Sequence, residues 1–225
     1  MWLSETSTGT IILDITTIFL LTGMIVFTSL YRKRGFVSDR IYFYMIIADI
    51  VAALTDGLNY FFLESPLSSK GALITAGDTV FSIAFEVIMF MMVLFWDYRL
   101  REDKKHTVRF VKIAVWPCVL AIIMILGNLF GGYLFYFDKV SGSYVYAGWY
   151  DLIYVAVVIY VGIMLVQIFK KDKRTFIIFL LAIGCRILLR NVLRDVSSTP
   201  FIIAILLVFF HIQEMNENYY KEVEG

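Results

Sequence analysis

Long unbroken runs of apolar residues, parted by short polar connections, fill most of the chain. A helix needs about 20 predominantly apolar residues to cross a hydrocarbon core of about 30 Å. Seven segments qualify, at 10–31, 41–63, 72–97, 109–131, 148–169, 175–193 and 199–215. The runs are continuous instead of alternating, which disfavours a β-barrel. Backbone groups in lipid must be paired within their own segment, which leaves helices. The expected fold is therefore all-α, a polytopic membrane bundle of seven transmembrane helices over residues 1–216. Residues 217–225 read as the start of a cytoplasmic signalling helix.

Composition agrees with the pattern. Of 225 residues, 60% are apolar and 17% are charged, with a mean hydropathy of +0.78. Soluble domains average about 45–50% apolar and about 25% charged, so a soluble globular enzyme is nearly excluded. The formal charge of +1 implies no surface for nucleic acid. Cys118 and Cys185 both lie inside apolar runs, so neither a disulfide framework nor a metal cluster is expected. The residues from Met1 to Thr10 lack a basic n-region, and the first apolar run reads as a retained helix. No Gly-rich phosphate loop, H-E-x-x-H or G-x-S-x-G occurs. Helix 7 has no lysine for a retinal Schiff base. No cofactor, no metal and no catalytic residue are expected.

The connections set the orientation. Those after helices 1, 3 and 5, with the tail, hold fifteen Lys and Arg residues against three on the opposite side. The bias places the N-terminus outside and the C-terminus in the cytoplasm. The outer connection Gly131 to Gly148 sets Tyr and Phe among small residues around Ser141-Gly142-Ser143, which reads as a short β-hairpin. It serves either as an aromatic belt at the headgroups or as a lid over an outward-facing cavity. Beyond helix 7, Ile212, Met215, Tyr219 and Val223 recur at helical spacing, as in a dimerising coiled coil. Pro117 marks a kink and Gly162 a close packing contact, while Trp2, Trp96, Trp149 and His211 read as interfacial.

Charge inside the apolar runs is the feature that points to function. An ionisable group at mid-bilayer costs about 2.5–3.5 kcal/mol on the mildest scales. Helix 2 carries Asp49, Asp56 and Asn59; helix 3 carries Asp78 and Glu86; helix 5 carries Asp151; helix 6 carries Arg186 and Arg190; Asp14 stands near the outer start of helix 1. Asp49 and Asp56 are seven apart and share a helix face, and Arg186 and Arg190 are one turn apart. Most of this set falls in the outer half of the bundle. Two readings stay open. Arg186 with Glu86, and Arg190 with Asp56 or Asp78, could pair internally and fix helix register. Alternatively, Asp56, Asn59, Asp78, Glu86, Asp151, Arg186 and Arg190 form a pocket for a small extracellular ligand. Arginine suits an oxyanion and the surplus of acids suits an amine, so a zwitterion or short peptide would fit both.

The stretch Ser38-Asp39-Arg40-Ile41-Tyr42-Phe43, with Asp56 and Asn59 following it, resembles the N-terminal seven-transmembrane sensor modules of bacterial membrane sensor histidine kinases and diguanylate cyclases. The aromatic loop Phe135-Tyr136-Phe137-Asp138 and the exit His211-Ile212-Gln213 are similar to those modules too. The tail Asn218-Tyr219-Tyr220-Lys221-Glu222-Val223-Glu224 is similar to the helix before the acceptor histidine in kinases with a GHKL-type ATPase domain. His211 departs from the acceptor context, and no acceptor helix, ATP-binding domain or cyclase domain is present. The resemblance implies a sensing part in the bacterial inner membrane, with its catalytic output elsewhere. Helix 7 would pair with a second copy. A rival expectation is a proton- or cation-coupled transporter or channel using Asp49, Asp56 and Glu86; no internal repeat of the transporter kind is visible.

Overall fold

A computed structural model describes residues 5–31, 37–65, 69–101, 104–138, 143–192 and 197–224. Seven α-helices follow in order: α1 Glu5–Tyr31, α2 Val37–Leu63, α3 Lys70–Arg101, α4 Lys104–Gly131, α5 Ile153–Lys171, α6 Lys173–Val192 and α7 Thr199–Glu224. Five of them, α1 to α5, are long and apolar enough to cross a membrane. The apolar parts described for α6 and α7, Thr175–Arg186 and Thr199–Gln213, are shorter. Several hydroxyl groups within the apolar helices are satisfied locally. Thr17, Ser29, Thr55, Thr75 and Thr79 each donate to the carbonyl four residues back, which keeps these polar atoms from exacting a desolvation cost in the apolar setting.

Helix α3 is the hub. It packs against α2, α4 and α5, and α7 closes the ring by contacting α1, α2 and α6. Successive helices alternate direction, so one end of the bundle carries the start of α1, α3 and α7. That end also carries a two-stranded antiparallel hairpin, β1 Phe135–Asp138 with β2 Ser143–Tyr146, in which Phe135 faces Tyr146. The hairpin expected between helices 4 and 5 is thus present. Its turn at Ser141-Gly142 lies outside the described residues.

Asn128 holds the hairpin to α4. Its amide oxygen accepts the N–H of Leu134 at 2.7 Å and that of Phe135 at 3.3 Å, and its amide nitrogen donates to the Phe135 carbonyl at 2.9 Å. Gly132 adopts φ 59° at the end of α4, a left-handed conformation in which a side chain would be strained. The hairpin then folds over the start of α3, where the ring of Phe137 rests on Gly71; a Cβ there would come within 2.7 Å of it.

The opposite end is built on aromatic and polar contacts. Trp96 meets Phe210 edge-on at 5.0 Å, and Tyr42 stacks on His211 at 5.6 Å while donating to the Leu207 carbonyl at 2.7 Å. Buried Asp97 accepts from Thr107 at 3.0 Å and Gln167 at 3.4 Å, and pairs with Arg101 at 3.1 Å and His106 at 3.2 Å. It ties α3 to α4 and α5. Asp172, the one residue between α5 and α6, accepts the N–H of Thr175 at 3.1 Å, an N-cap contact. It also accepts from Gln213 of α7 at 3.0 Å.

Several expectations change. Helix α5 begins at Ile153 instead of 148, because Tyr150–Leu152 forms a 3₁₀ turn first. Trp96 is 1% exposed and packs inside the bundle, not at an interface. The apolar run around it gave no sign of which face turns inward. Gly162 makes no close contact; its α-carbon faces open space. Trp2, and the side chains of Met215, Tyr219, Val223, Ser38 and Asp39, lie outside the described residues, although the helix itself continues to Glu224.

Candidate functional site

The acids of the apolar runs gather unevenly. At the hairpin end, five elements meet around Asp56. Its carboxylate lies close to the Ser197 side chain, just before α7, and within electrostatic reach of Asp78 and Arg186. Arg186 of α6 donates from Nε to the Thr199 hydroxyl at 3.1 Å. The Ser197 N–H donates to the Thr10 hydroxyl of α1 at 3.1 Å. Asn59 donates from its amide to Asp78 at 2.5 Å, joining α2 to α3. Ser7 donates to Glu64 at 2.5 Å, joining the start of α1 to the end of α2. The start of α7 is therefore bonded to α6 through Thr199 and, through Ser197 just before it, to α1, with Asp56 of α2 alongside.

Two glycines make this geometry possible. A Cβ on Gly57 would stand 3.3 Å from the Asp14 carboxylate, and one on Gly77 would stand 1.9 Å from the Asn59 amide oxygen. Each glycine removes the side chain that would fill the space a neighbouring polar group occupies. Asp14 thus lies against the α2 backbone, close enough to Asp56 and Asp49 for their charges to act on it.

Burial is nearly complete. Asp14 is 2% exposed, Asp56 and Asn59 are 7% and Asp49 is 0%. Among the described residues, neither carboxylate oxygen of Asp14, Asp49 or Glu86 has a hydrogen-bond partner, and the same holds for one oxygen each of Asp56 and Asn59. Every one of these atoms is an acceptor. A site short of donors suits a ligand that brings its own, such as an ammonium group, a hydronium or a neutralising proton on the acids themselves.

The structure unites Asp56, Asn59, Asp78 and Arg186 from the expected set, with Asp14 beside them. It does not unite the rest. Glu86, 0% exposed, is turned toward the α4–α5 side, near enough to Cys118 and Tyr160 to act on both electrostatically. The pairing expected between Arg186 and Glu86 is not formed, because Arg186 is drawn to the start of α7 and both Glu86 oxygens stand without a hydrogen bond. Asp151 sits exposed in the 3₁₀ turn outside the cluster. Arg190 belongs to α6, but its side chain lies outside the described residues, as does any pairing with Asp56 or Asp78.

The polar residues that sequence reading missed are hydroxyls. Thr10, Ser197 and Thr199 carry no charge, and the last two sit at the start of α7, where Ser and Thr are common anyway. Gly57 and Gly77 were a usable signal: each adjoins an acid within an apolar run, and small residues let polar groups cross between helices. No family model, curated protein or solved structure matches this chain.

Proposed function

We propose that the chain is a seven-helix sensor module of a bacterial inner membrane, with its N-terminus outside and its C-terminus in the cytoplasm. It binds a small extracellular ligand at the hairpin end and passes the event along α7 to a cytoplasmic output. The observation that supports this reading is the hydrogen bond from Arg186 to Thr199, which, with Asp56 close to Ser197, sets the buried charges against the root of α7. From that root α7 runs without interruption for 26 residues, about 39 Å. A ligand that competes for Asp56 or Arg186 would release Ser197 and Thr199, and a rigid helix carries such a displacement to its far end. The ligand is cationic or zwitterionic, since unsatisfied acceptors outnumber donors in the cluster. Catalysis belongs to the output, and pairing of two copies through the α7 extension would relay the movement to it.

The test is a chimera with a diguanylate cyclase domain after Gly225, challenged from outside with a panel of amino acids, short peptides and amines. Asp56→Asn keeps the shape of the side chain and removes its charge. The expected outcome is a chimera that inserts normally but no longer responds. A response equal to that of the unmodified chain refutes the reading.

A second reading has its own observation. Asp49 and Glu86 are fully buried away from the α7 root, with oxygens that bond to nothing described. Such acids could serve a proton or cation path. Proton or sodium flux in proteoliposomes made from the chain alone, lost in Glu86→Gln, would favour this reading over the sensor.

A further inference from the structure

The end of the bundle opposite the hairpin carries a feature that the sensor reading does not use. A surface depression of about 390 Å³ lies on the first turns of α4, lined by Lys105, Val108, Arg109 and Lys112. The helix contains no Asp or Glu anywhere between Lys104 and Gly131. Positions 105, 109, 112, 116, 120 and 123 fall on one face at 100° per residue. That face is cationic for its first two turns and apolar thereafter. Trp116 is 62% exposed, Leu120 58% and Ile123 59%. The boundary between the two chemistries falls between Lys112 and Trp116, about 6 Å along the axis. A phospholipid has the same order of chemistries over the same distance, with a phosphate first and acyl chains after.

We propose that this face of α4 is a binding site for an anionic phospholipid. Its phosphate lies between Arg109 and Lys112, with Lys105 at the rim, and an acyl chain runs along Trp116 and Leu120. Arginine's planar fork takes two phosphate oxygens, and the lysine adds a mobile charge. A zwitterionic lipid offers the same phosphate but carries its own cation beside it, so the exposed pair Arg109 and Lys112 selects the lipid with net negative charge. Each basic residue near a membrane surface favours anionic lipid by about fivefold.

Trp116 supplies the reporter. The full chain, carrying Trp2→Phe and Trp149→Phe, is reconstituted into vesicles whose phosphatidylcholine is replaced stepwise by brominated phosphatidylglycerol or by brominated phosphatidylcholine. Trp96 remains as a buried and constant background. The expected result is that brominated phosphatidylglycerol quenches at mole fractions at least fivefold lower than brominated phosphatidylcholine. Arg109→Ala with Lys112→Ala brings the two lipids together, while Lys170→Ala, exposed on α5 at the same end, leaves the difference unchanged. Both replaced side chains of the double variant are exposed, so the fold does not depend on them. Equal quenching by the two lipids in the unmodified chain overturns the proposal. So does a preference that survives the double variant, or one that Lys170→Ala reduces as much. Glycerol phosphate that displaces the lipid at millimolar concentration would show a site for free phosphate instead, and also overturns it.

Discussion

Tyr160→Phe removes one oxygen atom from the middle of the bundle, and its effect follows from Pro117. Proline has no N–H, and within a helix its ring presses on the carbonyl four residues back, here Ile113. The next rung of the α4 ladder would run from the Cys118 N–H to the Ala114 carbonyl. The Tyr160 hydroxyl from α5 bonds both groups of that rung. It accepts from the Cys118 N–H at 2.9 Å and donates to the Ala114 carbonyl at 2.7 Å. All three residues are buried: Tyr160 is 0% exposed, and Ala114 and Cys118 are 4%. Phenylalanine in its place leaves one donor and one acceptor without partners, and neither can reach water. Each orphan costs about 1–3 kcal/mol, so the variant should lose about 2–6 kcal/mol. The lower bound applies if the turn relaxes partway toward a direct bond.

Thiol labelling measures this without a spectroscopic probe. Cys118 is buried and Cys185 is exposed, so Cys185→Ala leaves a single thiol whose reactivity reports opening of the α4–α5 contact. Unfolding in detergent micelles should show Cys118 labelled at a lower denaturant concentration in Tyr160→Phe than in the parent. A double-mutant cycle then isolates the cause. Pro117→Ala restores the N–H and lifts the clash, allowing the ladder to close by itself. Tyr160→Phe should therefore cost far less in that background. Equal costs in both backgrounds would refute the argument, because the loss would then come from somewhere other than the broken rung.

Three further outcomes follow from particular contacts. Gly77→Ala should cost about 1–3 kcal/mol by forcing Asn59 off Asp78, and Asn59→Ala in the same chain should recover part of it; a thermal shift equal in both backgrounds would count against this. Asn128→Ala should leave the buried N–H of Leu134 unpaired and free the hairpin, cutting stability by about 1–3 kcal/mol and exposing the 133–147 region to added protease before the helices open. Asp97→Ala should cost about 1–3 kcal/mol, set by the buried Thr107 hydroxyl and the Gln167 amide; the half-exposed Arg101 contributes little because solvent screens its pairing. A thermal midpoint for Asp97→Ala within a degree of the parent would contradict that assignment.

The seven helices were legible because long apolar runs parted by short polar connections leave little chain between them, although only five are long and apolar enough to cross a membrane. Their ends were less so. Helix α3 runs on to Arg101 and α4 starts at Lys104, several residues beyond their apolar stretches. Lys and Arg form helix as readily as leucine does, so hydropathy marks where lipid would end, not where the helix does. The late start of α5 has a different cause. Tyr150 and Tyr154 meet edge-on, and Tyr146 packs at 4.3 Å on Tyr150. These contacts between hairpin and helix decide the backbone there, and no local pattern encodes them.

The site was legible in kind but not in partnership. That Asp56, Asn59 and Asp78 belong together follows from two helices with acids near the same level. Which acid an arginine faces depends on how far each helix is rotated about its own axis. Glu86 illustrates the limit. It is eight residues from Asp78, so the two side chains diverge by about 80° around α3. That angle is small enough to count as one face in a sequence, yet α3 is packed on both sides, and the same angle separates the α2 interface from the α4–α5 interface. Glu86 therefore acts on Tyr160 and Cys118, while Asp78 acts on Asn59 and Asp56. Around Glu86 and beyond it α3 is almost wholly buried, which leaves little outer face to absorb an error in rotation, and Asp78 and Glu86 belong to different neighbours. The two proposed readings divide along that line. In the proposed sensor reading, Asp56 and its neighbours between α2 and α3 act through the start of α7; in the rival reading, Glu86, facing α4 and α5, works with Asp49 in proton or cation exchange.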